Sequence, residues 1–400
     1  MKARAKTGRE RSIACGVVIL MLLGADAADA ESLSQRLGVF QPGFVTITPA
    51  ILELQRALAR ATDFPATTTT PGIVYRFDPA VGAFERVQGP LGPAFLERAE
   101  TVGRGRFDLG ASYLYARFTR LDGDSLSEQL SSRFVAVSGN LVVPQRVETQ
   151  DFSLTSHVMY LSATYGVLAD LDVNLLLPLY YTVMDGKRRF SVLSQTGSFE
   201  SLDATKFGPG DLLLRAKYRF LDRNTWGLAA GLTLHFPTGN EDNFQGIGDM
   251  VVTPSIIASW QSARWDVHGS FGVDINAGDL NRSGVRYGVG ASFAALDRLT
   301  LLADLVGTSG FTSDDVTFFV PDPRLVTIRG EFDPPIQARA VGNGTEFLTT
   351  LPPENVVDLA LGFKVILVRD LILFTGVIVP LTNDGARANV IPTGGIQYEF

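Results

Sequence analysis

The chain has 400 residues, of which 46% are hydrophobic and 19% charged, and its formal net charge is −7. This acidic balance disfavours binding to nucleic acid, so we expect no such partner. The low charged fraction, with 40 glycines and 26 phenylalanines, favours a fold of many strands and turns.

Residues 1–30 have the pattern of a secretory signal peptide. Five basic residues precede the apolar stretch IACGVVILMLLG, and ADAADA offers an A-x-A cleavage point after about Ala30. A membrane-spanning helix is the alternative, but this apolar stretch is too short to cross a bilayer. The only cysteine, Cys15, lies in this segment, so the exported chain is predicted to lack disulfides, cysteine-bound metal and thiol chemistry.

Residues 31–102 form a predicted N-terminal segment with its own character. Thr48 and Pro49 are suitable residues to begin a helix, and apolar residues follow at helical spacing until the segment stops before Pro65. GIVYRFDPAVGAFERV predicts a short hairpin that turns at Asp78 and Pro79. From its length and position we hypothesise that this segment is a plug or constriction for the domain that follows it.

Residues 103–400 show long runs of period-two alternation, which indicates β-strands. The clearest run is DLLLRAKYRF, where one face has Leu212, Leu214, Ala216, Tyr218 and Phe220 and the other is largely basic. Twelve such strands are predicted, near residues 105–119, 149–166, 171–184, 209–221, 225–237, 247–261, 264–277, 284–296, 298–309, 355–367, 370–382 and 390–400.

The connections between these strands alternate strictly between short charged turns and longer polar segments. That asymmetry is typical of outer-membrane barrels, which have short periplasmic turns and longer extracellular loops. We therefore predict an all-β fold, a transmembrane antiparallel up-and-down β-barrel of about 12 strands, or 14 if the hairpin at residues 72–88 joins it. A secreted β-sandwich would show the same alternation, but it has no reason to keep its long loops at one end.

Aromatic residues support the barrel and its location in the bacterial outer membrane. Trp226, Trp260 and Trp265 fall beside predicted short turns, where an interfacial girdle of aromatic residues is expected. The chain ends IQYEF, so its last strand alternates and can pair with the first strand to close the barrel.

This part of the chain resembles Gram-negative outer-membrane barrels, whose last strand commonly ends in Phe. FGPGDLLLRAKYRFL, WGLAAGLTLHFPTGNED, GIGDMVVTPSIIAS and DVHGSFGVDIN resemble, more specifically, the outer-membrane transporter family named after the MetA pathway of phenol degradation. The resemblance implies uptake of small, often aromatic or hydrophobic compounds, and no catalytic residues. It also implies that the barrel assembly machinery recognises Tyr398 and Phe400.

Polar groups on the inward faces are the candidate lumen-lining residues, because charges that face lipid cost about 2–4 kcal/mol near the midplane. These candidates are Arg215, Lys217, Arg219, Asp266, His268, Asp274, Arg286, Asp304, Asp358 and Lys364. Mutual pairing inside the barrel is the structural alternative for each of them. The densest basic run, at 215, 217 and 219, is the first choice for contact with an anionic solute.

Catalysis is not expected. His268 and Ser270 share a face, as in barrel-borne phospholipases, but they face the lumen and lack an HxSNG-like context. The three histidines have no paired spacing for a metal, and no cofactor is predicted.

The predicted function is a passive channel or transporter for small molecules in contact with outer-membrane lipid. A structural or adhesive barrel with a closed lumen is the alternative, and an outer-membrane esterase is a remote one.

Overall fold

The structure is a computed structural model. It describes residues 32–37, 39–41, 44–46, 54, 57–58, 60–61, 72, 75–78, 83–86, 89–127, 130–138, 141–192, 195–223, 225–320, 336–341, 344–368 and 370–400. The predicted signal peptide and its cleavage point lie outside these residues.

Twelve strands form one closed antiparallel barrel, which confirms the predicted fold class. In chain order they are β1 (Phe107–Leu121), β2 (Leu141–Leu168), β3 (Leu171–Val192), β4 (Leu212–Arg223), β5 (Trp226–Phe236), β6 (Val251–Gln261), β7 (Trp265–Asn276), β8 (Gly284–Leu296), β9 (Leu299–Gly310), β10 (Asn355–Val368), β11 (Leu371–Pro380) and β12 (Ile391–Glu399).

The last strand pairs with the first, as the alternating C-terminus predicts. Antiparallel pairing runs from Thr393 opposite Leu114 to Glu399 opposite Asp108. Beyond it, Phe400 and Phe107 exchange two backbone hydrogen bonds of 2.9 and 3.0 Å. The barrel therefore has no open edge at this junction, and its backbone groups are paired as a bilayer requires.

Five short turns gather at one end of the barrel, after β2, β4, β6, β8 and β10. Four of these five hairpins have a register shift beside the turn, for example between Arg219 and Leu221 in β4. Such shifts are common at barrel rims, where the chain must bend sharply. By the usual orientation of bacterial barrels, this end is periplasmic.

Side chains alternate between the lumen and the outer surface. On β4, Lys217 is 4% exposed, whereas Tyr218 is 52% exposed. Large apolar residues form an exposed belt around the barrel, which includes Phe107, Leu109, Leu161, Tyr165, Leu175, Phe220, Ile256, Phe271, Val289, Leu301, Leu361 and Ile396. A continuous exposed apolar belt of this kind is suited to contact with lipid acyl chains.

The extracellular end extends well beyond the predicted strands. β2 and β3 have 28 and 22 residues because their pairing continues past the barrel wall. Further strands there are Asp124–Ser125, Leu130–Ser138, Gln195–Thr196, Glu200–Ser201, Ala204–Pro209 and Ala386–Ala388. The connection between β9 and β10 contains a three-stranded sheet of Asp314–Val320, Ile336–Val341 and Gly344–Leu351.

The described part of the N-terminal segment contains helix α1 (Leu33–Leu37) and strands Val39–Gln41, Phe44–Thr46, Tyr75–Asp78 and Ala83–Arg86. The last two pair with each other in a two-stranded sheet that is separate from the barrel sheet, so the barrel has twelve strands and not fourteen. Five residues of the predicted helix, between 54 and 61, are described by the structure and are helical. The other residues of that predicted helix lie outside the described residues. No helix in the described part of the chain is long and apolar enough to cross a membrane.

Short 3-10 helices at Glu241–Asn243 and Leu280–Arg282 complete the extracellular connections. Leu33, Leu37, Leu54 and Leu58 belong to the same buried cluster as Phe118 of β1. The described part of the N-terminal segment is therefore packed against the barrel interior by apolar contacts.

Candidate functional site

Residues 89–102, here called the lumenal segment, lie inside the periplasmic half of the barrel. The backbone nitrogen of Leu91 donates to Thr300 Oγ1 at 3.0 Å, and that of Val102 donates to Asp172 Oδ2 at 2.9 Å. Because Thr300 and Asp172 lie on β9 and β3, the segment crosses the lumen from wall to wall. Side chains of the barrel supply the hydrogen bonds that its non-helical backbone needs.

Arg98 is the charged centre of the lumenal segment and is 1% exposed. Its Nη1 lies 3.2 Å from Asp266 Oδ2 on β7, and its Nε lies 3.6 Å from Glu100 Oε2. Nη1 also donates to the carbonyl of Pro90 at 3.3 Å. A buried guanidinium with these partners fixes the segment in one place, since a charge without them would be very costly there.

Two lysines of the barrel wall also bind the lumenal segment. Lys217 Nζ lies 3.2 Å from Glu97 Oε2 and 3.2 Å from the carbonyl oxygen of Arg98. Lys364 is 1% exposed, and its Nζ donates to the carbonyl of Leu91 at 3.3 Å. The wall therefore holds the segment at several points along its length.

A cavity of about 380 Å³ lies on the extracellular side of the lumenal segment. Phe95, Leu96 and Glu97 contribute to its lining from the segment, and Ile257 and Val306 add apolar surface from the wall. Small hydroxyl-bearing residues also line the cavity, among them Thr233, Ser255, Ser270, Thr308 and Ser309. The cavity combines apolar surface with hydrogen-bonding groups, as small-molecule sites commonly do.

The charges that line the cavity are largely balanced. Five of its basic residues each have a carboxylate partner: Arg60 with Glu354, Lys217 with Glu97, Arg282 with Asp249, Arg286 with Asp274, and Arg387 with Asp358. Because these basic groups are paired, they attract an anionic solute less strongly than unpaired basic residues would. The basic run on β4 alone predicts a stronger attraction.

The N-terminal segment is also attached at the extracellular end. Leu33 N donates to Asn243 Oδ1 at 3.1 Å, and Arg188 Nη1 donates to the carbonyl of Arg36 at 2.9 Å. Arg60 Nη1 lies 3.5 Å from Glu354 Oε1, just before β10 begins. The described parts of residues 32–102 therefore contact both ends of the barrel.

Glu354 is the titratable group at this extracellular attachment. Burial raises the pKa of Glu354 to about 7, Arg60 opposes the shift, and the carboxylates of Asp122 and Asp384 add to it. Glu354 therefore gains or loses its charge near neutral pH, and its attraction to Arg60 changes with it.

Stability should fall as the pH rises from about 4.5 to about 7, because the folded state holds a proton on Glu354 that the unfolded state releases. We expect the thermal midpoint in detergent to be higher at pH 5 than at pH 7.5, and Glu354→Gln to reduce this difference. Asp297→Asn, at an exposed turn, is the control and should leave the difference unchanged. An unaltered pH profile in Glu354→Gln would contradict the assignment.

The sequence-predicted lumen candidates divide into two groups in the structure. Arg215, Lys217, Asp274, Arg286 and Asp358 line the cavity. Asp266, His268, Asp304 and Lys364 are buried in the periplasmic half, around the lumenal segment.

Arg219 belongs to neither group. It lies at the periplasmic rim, where it binds Asp170 at 2.7 Å and Asp222 at 3.3 Å. The basic run at 215, 217 and 219 is therefore not a continuous surface for an anion.

The three histidines lie apart and each has a protein partner. His157 Nδ1 is 2.6 Å from Tyr113 Oη, His235 Nε2 is 3.1 Å from Asp211 Oδ2, and His268 binds two carboxylates. Both ring nitrogens of His268 are occupied, so this ring is not poised as a base toward Ser270.

The predicted interfacial aromatics lie near the periplasmic rim. Trp226 and Trp265 are 58% and 47% exposed, and Trp226 pairs with Trp260 across β5 and β6. At the C-terminus, the ring centroid of Phe400 lies 5.2 Å from that of Tyr398 and 6.0 Å from that of Phe107. These positions are suited to the boundary between lipid and water.

A closed twelve-stranded barrel with an apolar outer belt and a polar, charge-paired lumen defines the class: this is a β-barrel protein of the bacterial outer membrane. Residues 131–317, just under half of the chain, match the family described as "Putative MetA-pathway of phenol degradation". The resemblance predicted from the sequence is thereby confirmed. Among curated proteins, none matches the chain by sequence.

Solved outer-membrane barrels are similar in shape at low sequence identity. An outer membrane channel from Pseudomonas putida F1 is 15% identical, with a TM-score of 0.48, and the match covers 76% of this chain and 98% of that one. The CymD monoaromatic hydrocarbon channel is 10% identical, with a TM-score of 0.34 and coverage of 74% and 89%. A Pseudomonas aeruginosa FadL homologue is 8% identical, with a TM-score of 0.32 and the same coverages.

Proposed function

We propose that the protein is an outer-membrane channel that passes small molecules by passive diffusion, without a cofactor or catalysis. The observation that carries the proposal is the cavity of about 380 Å³ inside a closed barrel, between the lumenal segment and the extracellular rim. Its volume accommodates a small organic solute. The family match, whose description concerns phenol degradation, supports a solute of this kind.

The solute is a small, uncharged compound with aromatic or hydrophobic character. Phe95 and Leu96 offer it an apolar surface, and the hydroxyl groups of the wall can bind a single polar substituent. The paired lining charges argue against the anionic solute that the basic run on β4 indicated.

A signal peptide is removed after about Ala30. Residues 31–102 then act as the plug of a barrel formed by residues 103–400. The supporting observation is that residues 89–102 cross the lumen and bind its walls through Arg98, Lys217 and Lys364. Solute passage then requires this segment to shift.

Tyr398 and Phe400 serve as the terminal signal for the barrel assembly machinery.

The second candidate is a structural or adhesive barrel with a closed lumen, and the wall-to-wall lumenal segment favours it. Conductance of the refolded protein in planar lipid bilayers separates the two functions. Discrete channel openings are expected for a channel. A folded barrel, with heat-modifiable migration on a denaturing gel but without openings, would support the structural function. An esterase is supported only by the sequence proximity of His268 and Ser270.

A matched pair of variants ties the conductance to the cavity. Ser255→Trp fills the cavity from the wall and should reduce conductance severalfold. Ile256→Trp is the control, because Ile256 is the next residue of β6 and is 53% exposed on the lipid side. Equal conductance in both variants would show that ions and solutes do not use this cavity.

A further inference from the structure

His268 of β7 bridges two buried carboxylates. Its Nδ1 lies 2.8 Å from Asp266 Oδ1 on the same strand, and its Nε2 lies 3.0 Å from Asp304 Oδ1 on β9. The side chains of all three residues are 0% exposed. The ring therefore connects two strands that are not neighbours in the barrel.

The same two carboxylates hold the lumenal segment through their other oxygen atoms. Asp266 Oδ2 accepts from Arg98 Nη1 at 3.2 Å, and Asp304 Oδ2 accepts from the backbone nitrogen of Phe95 at 3.3 Å. Each carboxylate thus has one oxygen on the histidine and one on the segment. Any rotation of either carboxylate away from His268 would misplace the oxygen that the segment needs.

The strand between β7 and β9 leaves a gap for this bridge. Along the register, His268 lies opposite Gly290 of β8, and Gly290 lies opposite Asp304. A Cβ atom at Gly290 would collide with Asp304 Oδ1 and would lie 2.6 Å from His268 Nε2. Only a glycine at this position lets the imidazole reach across β8 to the second carboxylate.

Charge and hydrogen bonding define the state of the ring. An ionised carboxylate can only accept hydrogen bonds, so two carboxylates at the two ring nitrogens require both nitrogens to donate. The resulting imidazolium and the guanidinium of Arg98 then neutralise Asp266 and Asp304. A neutral ring has only one N–H group, so one ring nitrogen would face a carboxylate oxygen without a proton between them, which is unfavourable.

We propose that His268 is a doubly protonated clamp that positions Asp266 and Asp304 to hold the lumenal segment, with Gly290 as the gap that admits it. His268 is a positioning residue and contacts no solute. An effect of His268 on solute flux rests on the proposed channel function, whereas the protonation state of its ring does not.

The protonation state is tested by nitrogen-15 NMR of the histidine-labelled protein in detergent micelles at pH 7.5. We expect the ring of His268 to show two protonated nitrogens, although an exposed histidine is mostly neutral at this pH. The signal is assigned by its loss in His268→Gln. A neutral His268 ring in the folded wild-type protein would overturn the proposal, whatever the flux results are.

A double-mutant cycle tests the clamp itself through solute flux into proteoliposomes. His268→Gln and Gly290→Ala should each raise flux severalfold. Combined with Arg98→Ala, either change should raise flux by less than the product of the two single effects, because the attachment at Asp266 is shared. His157→Gln is the control and should leave flux unchanged. If His268→Gln does not fold, Gly290→Ala alone carries the cycle. Fully additive effects with Arg98→Ala would overturn the positioning role.

Discussion

Replacement of Arg98 by alanine is expected to raise the passive flux of a small uncharged solute through the barrel roughly tenfold or more. Removing one partner of a buried ion pair typically costs about 3–5 kcal/mol, and each 1.4 kcal/mol is about a tenfold change in an equilibrium. Here the loss falls on the attachment of the lumenal segment, because Arg98 binds Asp266 of the barrel wall, while its contacts with Glu100 and the Pro90 carbonyl lie within the segment. The segment should therefore leave its closed position far more often.

Flux is measured by solute entry into proteoliposomes that contain equal amounts of folded protein. Arg104→Ala is the matched control, since Arg104 lies six residues further along in an exposed turn and outside the lumen. Its flux should equal that of the wild type. If Arg98→Ala folds, shows heat-modifiable migration and keeps the wild-type flux, Arg98 is not an attachment that controls passage.

The barrel was predictable because its physical causes are local and repeated. In a strand that separates lipid from a polar lumen, neighbouring side chains must differ in polarity, and β4 shows this in Lys217 and Tyr218. The alternation of short and long connections then fixes the direction of each strand. With an even number of strands, the final residues return to the first strand, as Phe400 and Phe107 do.

The lumenal segment was only partly predictable. The apolar residues of GPLGPAFLERAE repeat neither every two residues nor every 3.6 residues. The local pattern therefore predicts neither a strand nor a helix for it, and it does not predict that the segment is buried. Its position depends on partners more than 150 residues away, such as Asp266 for Arg98 and Ser259 for Ala99. Sequence could propose a plug from length and order, but it could not identify Arg98 as its centre.

The inward-facing charges show the same limit. The alternation of side chains along the strands predicts that Asp266, His268 and Asp304 face the lumen. It could not show that the ring of His268 bridges the two carboxylates. The informative signal was Gly290, whose role becomes clear only when β7, β8 and β9 are placed side by side. Likewise, pairing of Arg219 at the rim depends on Asp170 in a different hairpin.

The central claim, that solute passes only when the lumenal segment moves, is tested by a reversible covalent lock. Ala99 and Ser259 are suitable sites, because the Ala99 nitrogen lies 3.3 Å from Ser259 Oγ and both residues are buried. Cysteines at these two positions have no competing thiol, since Cys15 is the only cysteine and lies in the first 30 residues. The single variant Ala99→Cys controls for oxidation itself.

The deciding measurement is solute flux of the Ala99→Cys, Ser259→Cys protein before and after reduction. We predict that the oxidised form has the flux of protein-free liposomes, and that a thiol reductant restores flux to the wild-type level. An oxidised protein whose disulfide is verified by mass spectrometry, yet whose flux equals that of the reduced form, would contradict the claim.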